Sequence, residues 1–142
     1  MVYTPLTKKA MNLAYEAHKG QMDKSGVPYI FHPIQVAQSM TDEASTCAAL
    51  LHDVVEDTDW TFEQLEAEGF GAQVMDALRL LTHDPAVPYM EYIAQLKDNP
   101  IAKAVKLADL AHNSDLSRMD AIDEWSQKHV EKYKQAMALL NE

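Results

Sequence analysis

The sequence contains a single cysteine and no long apolar run, and each shortage excludes a class of protein. Cys47 has no partner within the chain, so the fold needs no disulfide and no oxidising compartment. The longest apolar stretches, such as residues 47–51, are too short to cross a bilayer, and the N-terminus has no basic region followed by a long apolar run. The sequence therefore predicts a cytoplasmic protein with no membrane partner.

Basic residues are also scarce. The chain has 12 Lys and Arg residues against 22 Asp and Glu residues, which gives a formal net charge of −10. This balance predicts no nucleic-acid partner, because nonspecific binding to nucleic acid depends on a basic surface that neutralises phosphates. A phosphate-bearing small molecule stays compatible with it, provided that a metal ion and a few lysines supply positive charge locally.

Length and periodicity predict one compact, all-α domain over residues 1–142. Thr4 can cap a helix that begins at Pro5 and ends at Gly20, whereas residues 21–33, with one glycine and two prolines, are predicted to form an ordered loop. No segment alternates with period two. Further helices are predicted at residues 34–40, 43–55, 61–68, 72–81, 88–97, 101–118 and 120–140, with a turn at Met119.

Candidate chemistry is concentrated in the string HDVVED at residues 52–57, at the end of a predicted apolar helix. On a helix, His52 and Glu56 are four residues apart, as are Asp53 and Asp57, so the four side chains fall on neighbouring faces. Crowded carboxylates repel one another unless a cation neutralises them or water solvates them. By itself, the string fits a hard-metal site or a solvated acidic helix end.

Two further positions extend this pattern. His32 lies in the predicted loop, where a rigid backbone could aim its imidazole, although a histidine beside apolar residues is more often a hydrogen-bonded core residue. Asp109 interrupts an apolar helix and shares a face with Lys106 and Asn113. Since a buried carboxylate needs a partner, either Lys106 or a metal ion must pair with it.

Together, His32, His52, Asp53 and Asp109 offer two imidazoles and two carboxylates. This mixed set suits manganese, iron, nickel or zinc, and manganese fits its oxygen-rich surroundings best.

Five motifs resemble, in order and spacing, the HD-superfamily hydrolase domain of RelA/SpoT-type alarmone enzymes. They are AHKGQ at residues 17–21, KSG at 24–26, PYIFHP at 28–33, LLHDVVEDT at 50–58 and KLAD at 106–109. The similarity extends from about Thr7 to Arg118. The synthetase half of the long members is absent, so the chain resembles a small stand-alone alarmone hydrolase.

This resemblance implies a role for each matching residue. It implies that His32, His52, Asp53 and Asp109 bind one Mn²⁺ ion. Glu56 and Asp57 match the acidic pair that acts on the attacking water. The residues expected to bind substrate are Lys24, Ser25, Asn113 and Lys106. Three of these have plainer interpretations, since Asn113 could satisfy a helix carbonyl and Lys24 and Ser25 could be solvent-exposed turn residues.

Two positions depart from the family pattern. Asp23 stands where the family usually has an arginine before the loop lysine, and Asp115 stands where an arginine commonly follows the pocket asparagine. An aspartate cannot stack on a purine or pair with phosphate as arginine does. We therefore expect Asp23 to repel a highly charged alarmone, and Asp23→Arg to improve turnover through a lower KM.

The resemblance implies a Mn²⁺-dependent phosphohydrolase similar to guanosine-3′,5′-bis(diphosphate) 3′-pyrophosphohydrolase. Alternatives are the same chemistry on an adenine alarmone or on the 2′-phosphate of NADPH, or a nonenzymatic nucleotide-binding module. The terminal helix carries Trp125, His129, Tyr133, Met137 and Leu140 at helical spacing. These side chains are predicted to cover the core or a dimer seam, which leaves a homodimer open.

Overall fold

The computed structural model describes residues 1–118 and 122–142, and its architecture confirms the all-α prediction. The helices are α1 (Pro5–Ala17), α2 (Phe31–Gln38), α3 (Glu43–Leu51), α4 (Val54–Asp57), α5 (Phe62–Ala67), α6 (Ala72–Leu81), α7 (Tyr89–Leu96), α8 (Pro100–Asn113) and α9 (Glu124–Leu140). A 3₁₀ turn follows α8 at Leu116–Arg118. Extended pairing within the described residues is limited to an isolated bridge between Met22 and Pro28. The turn predicted at Met119 lies outside the described residues.

The helix starts follow the side chains that cap them. Thr4 caps α1 as predicted, in a reciprocal capping box with Thr7, and Thr61 and Gln64 form a second box at the start of α5. The side chain of Asn99 accepts hydrogen bonds from the first free N–H groups of α8. Among the described helices, none combines the length and the hydropathy that crossing a bilayer requires.

Helix α3 is the central element of the bundle. It packs against α1, α2, α6 and α8, and its residues from Ser45 to Leu51 are all buried. Helix α9 packs on α7 and α8 and buries Val130, Ala136 and Leu140. Because α2 and α8 also contact each other, residues at the end of α3 emerge where three helices meet.

Several predicted helix boundaries were wrong, including the end of α1 at Ala17, the start of α9 at Glu124 and three that lie next to the candidate ligands. Helix α2 begins at Phe31, so His32 lies in its first turn and not in a loop, with Pro33 at a position where a helix tolerates proline. The helix predicted to reach residue 55 ends at Leu51, because the backbone of Asp53 (φ −105°, ψ 0°) leaves the helical region before α4 begins. Helix α8 ends at Asn113, short of the predicted residue 118.

Candidate metal centre and adjoining cavity

The four predicted metal ligands meet in one place. His32 comes from α2, His52 and Asp53 from the break between α3 and α4, and Asp109 from α8. Each residue offers a nitrogen or oxygen atom within 4.8 Å of those of the other three. Their side chains are 3–15% exposed, so the group is nearly closed to bulk solvent.

The distances show that both imidazoles face both carboxylates. His32 Nε2 lies 2.8 Å from Asp109 Oδ1 and 3.8 Å from Asp53 Oδ2. His52 Nε2 lies 3.0 Å from Asp53 Oδ2 and 3.5 Å from Asp109 Oδ1. The four side chains therefore converge on a common point.

The hydrogen bond that His52 makes selects the tautomer that a metal ligand needs. Its Nδ1–H donates to the carbonyl oxygen of Ala49 over 2.6 Å, which leaves the lone pair on Nε2. Nε2 is buried and, among the described residues, has no partner in hydrogen-bonding geometry, although Asp53 is near. Two neutral imidazoles and two carboxylates carry two negative charges, which one divalent cation would neutralise, so these residues fit a divalent metal.

The electrostatics of the protein alone are those of a site that attracts cations. Burial lowers the pKa of His52, but Asp53 and Asp109 outweigh burial and hold that pKa well above its usual value. Burial likewise raises the pKa of Asp109, and the opposing effects of Lys106 and the two histidines hold it well below its usual range. A proton and a metal ion therefore compete for the same lone pairs.

A second layer of side chains contacts three of the four ligands, whereas His52 is held by the backbone carbonyl of Ala49. His112 Nδ1 lies 2.7 Å from His32 Nδ1, and Asn113 donates its amide to Asp109 Oδ1 over 3.1 Å. Tyr29 donates its hydroxyl to Asp53. Lys106 Nζ donates to Asp109 Oδ2 over 2.8 Å, so the lysine takes one carboxylate oxygen while the other faces the histidines.

Glu56 and Asp57 lie at the exposed edge of this cluster. Each offers a carboxylate oxygen within 4.8 Å of Asp53 and of the other. Glu56 Oε1 accepts the backbone N–H of His83 over 2.9 Å, which fixes that side chain. Burial and the charges of Asp53 and Glu56 raise the pKa of Asp57 to about 6, so this carboxylate can accept a proton near neutral pH.

A cavity of about 330 Å³ adjoins the cluster. It shares Tyr29 and Asn113 with the second layer, since each lines the cavity and hydrogen-bonds to a carboxylate of the cluster. Its volume lies within the range of small-molecule sites. Its walls are formed by Met22, Asp23, Lys24, Ser25, Tyr29, Asn113, Asp115, Leu116, Arg118, Trp125, Ser126, His129 and Tyr133.

Three of the four residues predicted to bind substrate line this cavity, namely Lys24, Ser25 and Asn113. The fourth, Lys106, does not line it, because its ammonium group is held by Asp109. The plainer interpretation of Asn113 was wrong in its partner, since the amide donates to a carboxylate and not to a helix carbonyl.

Other cavity residues were missed by the sequence analysis. The face of α9 with Trp125, His129 and Tyr133 lines the cavity, whereas Val130 and Leu140 cover the core. The helical spacing of the three aromatic residues showed that they share one face of a helix. It did not show that this face borders a cavity. Tyr29 and Arg118 had no such signal.

The two aspartates that depart from the family pattern both close turns. Asp23 Oδ1 accepts the backbone N–H groups of Ser25 (2.8 Å) and Val27 (3.1 Å), and Asp115 Oδ1 accepts that of Ser117 (3.0 Å). Asp23 also lines the cavity, as expected for a residue that faces the substrate. Its repulsion of an alarmone stays a prediction, and the sequence did not show that one of its carboxylate oxygens is held by the loop.

Comparison with known proteins agrees with this geometry. The family model for the HD domain matches residues 10–83, a span that includes His32, His52 and Asp53. The chain belongs to the HD-domain family. HD hydrolases depend on divalent metals, and the buried histidine and aspartate cluster fits that property.

Two relatives and one solved structure are similar to most of the chain. The chain is 40% identical over 144 residues to guanosine-3′,5′-bis(diphosphate) 3′-pyrophosphohydrolase MESH1 of Danio rerio, a match that covers 92% of this chain and 79% of the relative. The human protein of that name is 40% identical over 88% of this chain and 76% of its own length. A solved structure described as a metazoan ortholog of SpoT that hydrolyses ppGpp superposes with a TM-score of 0.76 and 30% identity, over 99% of this chain and 85% of that one.

Proposed function

We propose that this protein is a Mn²⁺-dependent hydrolase that removes pyrophosphate from the ribose 3′ position of guanosine-3′,5′-bis(diphosphate). The observation that carries the proposal is the convergence of His32, His52, Asp53 and Asp109 beside a cavity of nucleotide size. Relatives at 40% identity carry the name of that activity.

The four converging residues would hold the metal ion. Manganese suits a set of two imidazole nitrogens and two carboxylate oxygens with further carboxylates near it. When bound, a divalent cation supplies Lewis-acid chemistry at phosphoryl oxygens and lowers the pKa of water. The protein supplies the orientation, because Ala49 fixes the tautomer of His52 and Lys106 holds Asp109.

Glu56 and Asp57 would orient the attacking water and accept its proton. Glu56 is oriented by the N–H of His83, which leaves its second carboxylate oxygen for water. Asp57, with its pKa raised to about 6, can take up a proton near neutral pH and release it to the leaving group. Both carboxylates lie beside Asp53, at the edge of the cluster.

The cavity would hold the nucleotide. Lys24 and Ser25 form one wall and Asn113 another, and Asn113 also donates to Asp109. A nucleoside bound against Asn113 would therefore lie next to the proposed metal site. Direct contact between Lys106 and substrate stays a prediction, since its ammonium group is 2.8 Å from Asp109 Oδ2.

We also infer one HD-type domain over residues 1–142, working in the cytoplasm, where a buried free Cys47 stays reduced. The proposed partner is the nucleotide, without nucleic acid or membrane.

A homodimer stays a prediction, and analytical ultracentrifugation at two protein concentrations would test it.

Substrate screening with the Mn²⁺-loaded protein tests the proposal. The panel contains guanosine-3′,5′-bis(diphosphate), the matching adenine alarmone, NADPH and GTP, with products separated by ion exchange. We expect GDP and pyrophosphate from the first compound and no turnover by Asp53→Ala, whereas the exposed Asp59→Ala variant keeps full activity. Preferred release of phosphate from NADPH, or no turnover of any alarmone, would contradict the proposal.

A further inference from the structure

Arg118 and Asp23 form an ion pair in the lining of the cavity. Asp23 belongs to the loop between α1 and α2, and Arg118 ends the 3₁₀ turn after α8. Asp23 Oδ2 lies 3.7 Å from Arg118 Nη1, and the two side chains are 14% and 28% exposed. Because Asp23 Oδ1 is engaged with backbone N–H groups of its own loop, one carboxylate both closes the loop and faces the arginine.

Within residues 1–118 and 122–142, this ion pair is the polar contact that the structure gives the guanidinium group of Arg118. A guanidinium group carries five N–H donors. At 3.7 Å the contact with Asp23 is an ion pair without a short hydrogen bond, and Nε is buried without a hydrogen-bond partner among the described residues. The planar fork of arginine matches a phosphate group.

The two lysines near the site already have partners there. Lys24 Nζ lies over the ring of Trp125, and Lys106 Nζ is 2.8 Å from Asp109. Among the cavity residues that the structure describes, Arg118 is thus the cation with the most hydrogen-bonding capacity left for an anion. It stands three residues after Asp115, the position at which the sequence lacks the arginine of the resembled family.

A bis(diphosphate) nucleotide brings two anionic groups to the cavity. If the 3′ group is cleaved at the cluster, the 5′ group needs a cation elsewhere in the same cavity. We propose that Arg118 binds the 5′-phosphate group of the nucleotide, and that Asp23 holds the guanidinium in place for it. This inference rests on the proposed function for the identity of the nucleotide. It makes Arg118 a specificity-determining residue and Asp23 a positioning residue.

Direct binding measurements test the proposal. The chain has two tryptophans, and Trp60 packs on the core away from the cavity, so Trp60→Phe leaves Trp125 as a fluorescent reporter in the cavity wall. GDP, guanosine and inorganic pyrophosphate are titrated into this protein in its Mn²⁺-loaded form. The matched control is Arg79→Gln, since Arg79 is the other arginine of the chain and pairs with Glu66 away from the cavity.

We expect Arg118→Gln to raise the Kd for GDP about tenfold or more, the scale of a hydrogen bond to a charged group, and to leave guanosine binding unchanged. The Kd of Arg118→Lys for GDP should lie between those of the parent protein and Arg118→Gln. Arg79→Gln should match the parent protein. Equal loss of guanosine and GDP affinity, a loss confined to pyrophosphate, or unchanged GDP binding would each overturn the assignment.

Asp23→Asn tests the positioning role, because the amide oxygen can still accept the two loop N–H groups while the charge facing Arg118 is lost. Made in the parent protein, Asp23→Asn should raise the Kd for GDP several-fold. Made in the Arg118→Gln variant, the same substitution should leave the Kd unchanged. Tighter GDP binding by Asp23→Asn would overturn that role. If the wild type turns over no alarmone yet binds GDP through Arg118, the proposed function fails and this inference stands.

Discussion

The metal cluster and the cavity wall differ in how they are held. The cluster takes its four side chains from α2, from α8 and from the break after α3, and each side chain has a hydrogen-bond partner outside the cluster. The wall opposite α9 consists of a loop and a 3₁₀ turn, held by the carboxylates of Asp23 and Asp115. Chemistry common to a family can stay in the rigid part, whereas substrate preference can change through a few turn residues.

Replacing Asp109 should destabilise the fold around the metal cluster and prevent Mn²⁺ binding. Asp109→Asn leaves Lys106 buried without its carboxylate, and we expect the free energy of unfolding to fall by about 3–5 kcal/mol. Urea denaturation measures this change. The double variant with Lys106→Met removes both charges and should recover most of the stability without recovering Mn²⁺ binding. A stable single variant that still binds Mn²⁺ would show that the pair is not essential to the cluster.

Glu56→Gln should separate metal binding from chemistry. The amide oxygen can still accept the N–H of His83, so the structure should persist. We expect normal metal content and a loss of at least about a hundredfold in kcat, the scale of general acid–base catalysis. The exposed Glu63→Gln variant is the control. Unchanged kcat in Glu56→Gln would remove Glu56 from the mechanism.

His112→Phe should weaken the cluster from its second layer. Phenylalanine can keep the stacking on His32 (ring centroids 5.0 Å apart) but not the contact between the Nδ1 atoms. Because such contacts orient ligating histidines, we expect about a tenfold lower affinity for Mn²⁺ by isothermal titration. His112→Asn, which can hydrogen-bond, should lose less. Equal affinities in all three proteins would mean that His32 needs no orienting partner.

Asp23→Arg should affect only the cavity wall. The change removes the acceptor of two loop N–H groups and places a second guanidinium beside Arg118. We expect KM for the alarmone to rise several-fold with little change in kcat, contrary to the improvement expected from the sequence. Steady-state kinetics on the wild type and on this variant decide the matter, and a lower KM would restore the view of Asp23 as a repulsive group.

The sequence predicted the cluster better than the wall, for physical reasons. His52, Asp53 and Asp109 interrupt apolar helices, so their chemistry was visible against the burial pattern. The helix break at Asp53 was not visible, because no glycine or proline marks it. Arg118 and Trp125 line one cavity from a 3₁₀ turn and from α9, and no pattern in the sequence relates these two residues.

Metal stoichiometry tests the central claim most directly. Elemental analysis of purified wild type, Asp53→Ala and the control Asp59→Ala should find about one transition metal ion per chain in the first and third proteins. Asp53→Ala should contain none, because it loses a carboxylate that lies 3.0 Å from His52 Nε2 in the cluster. Equal metal content in the wild type and Asp53→Ala would contradict the assignment of this cluster as the metal centre.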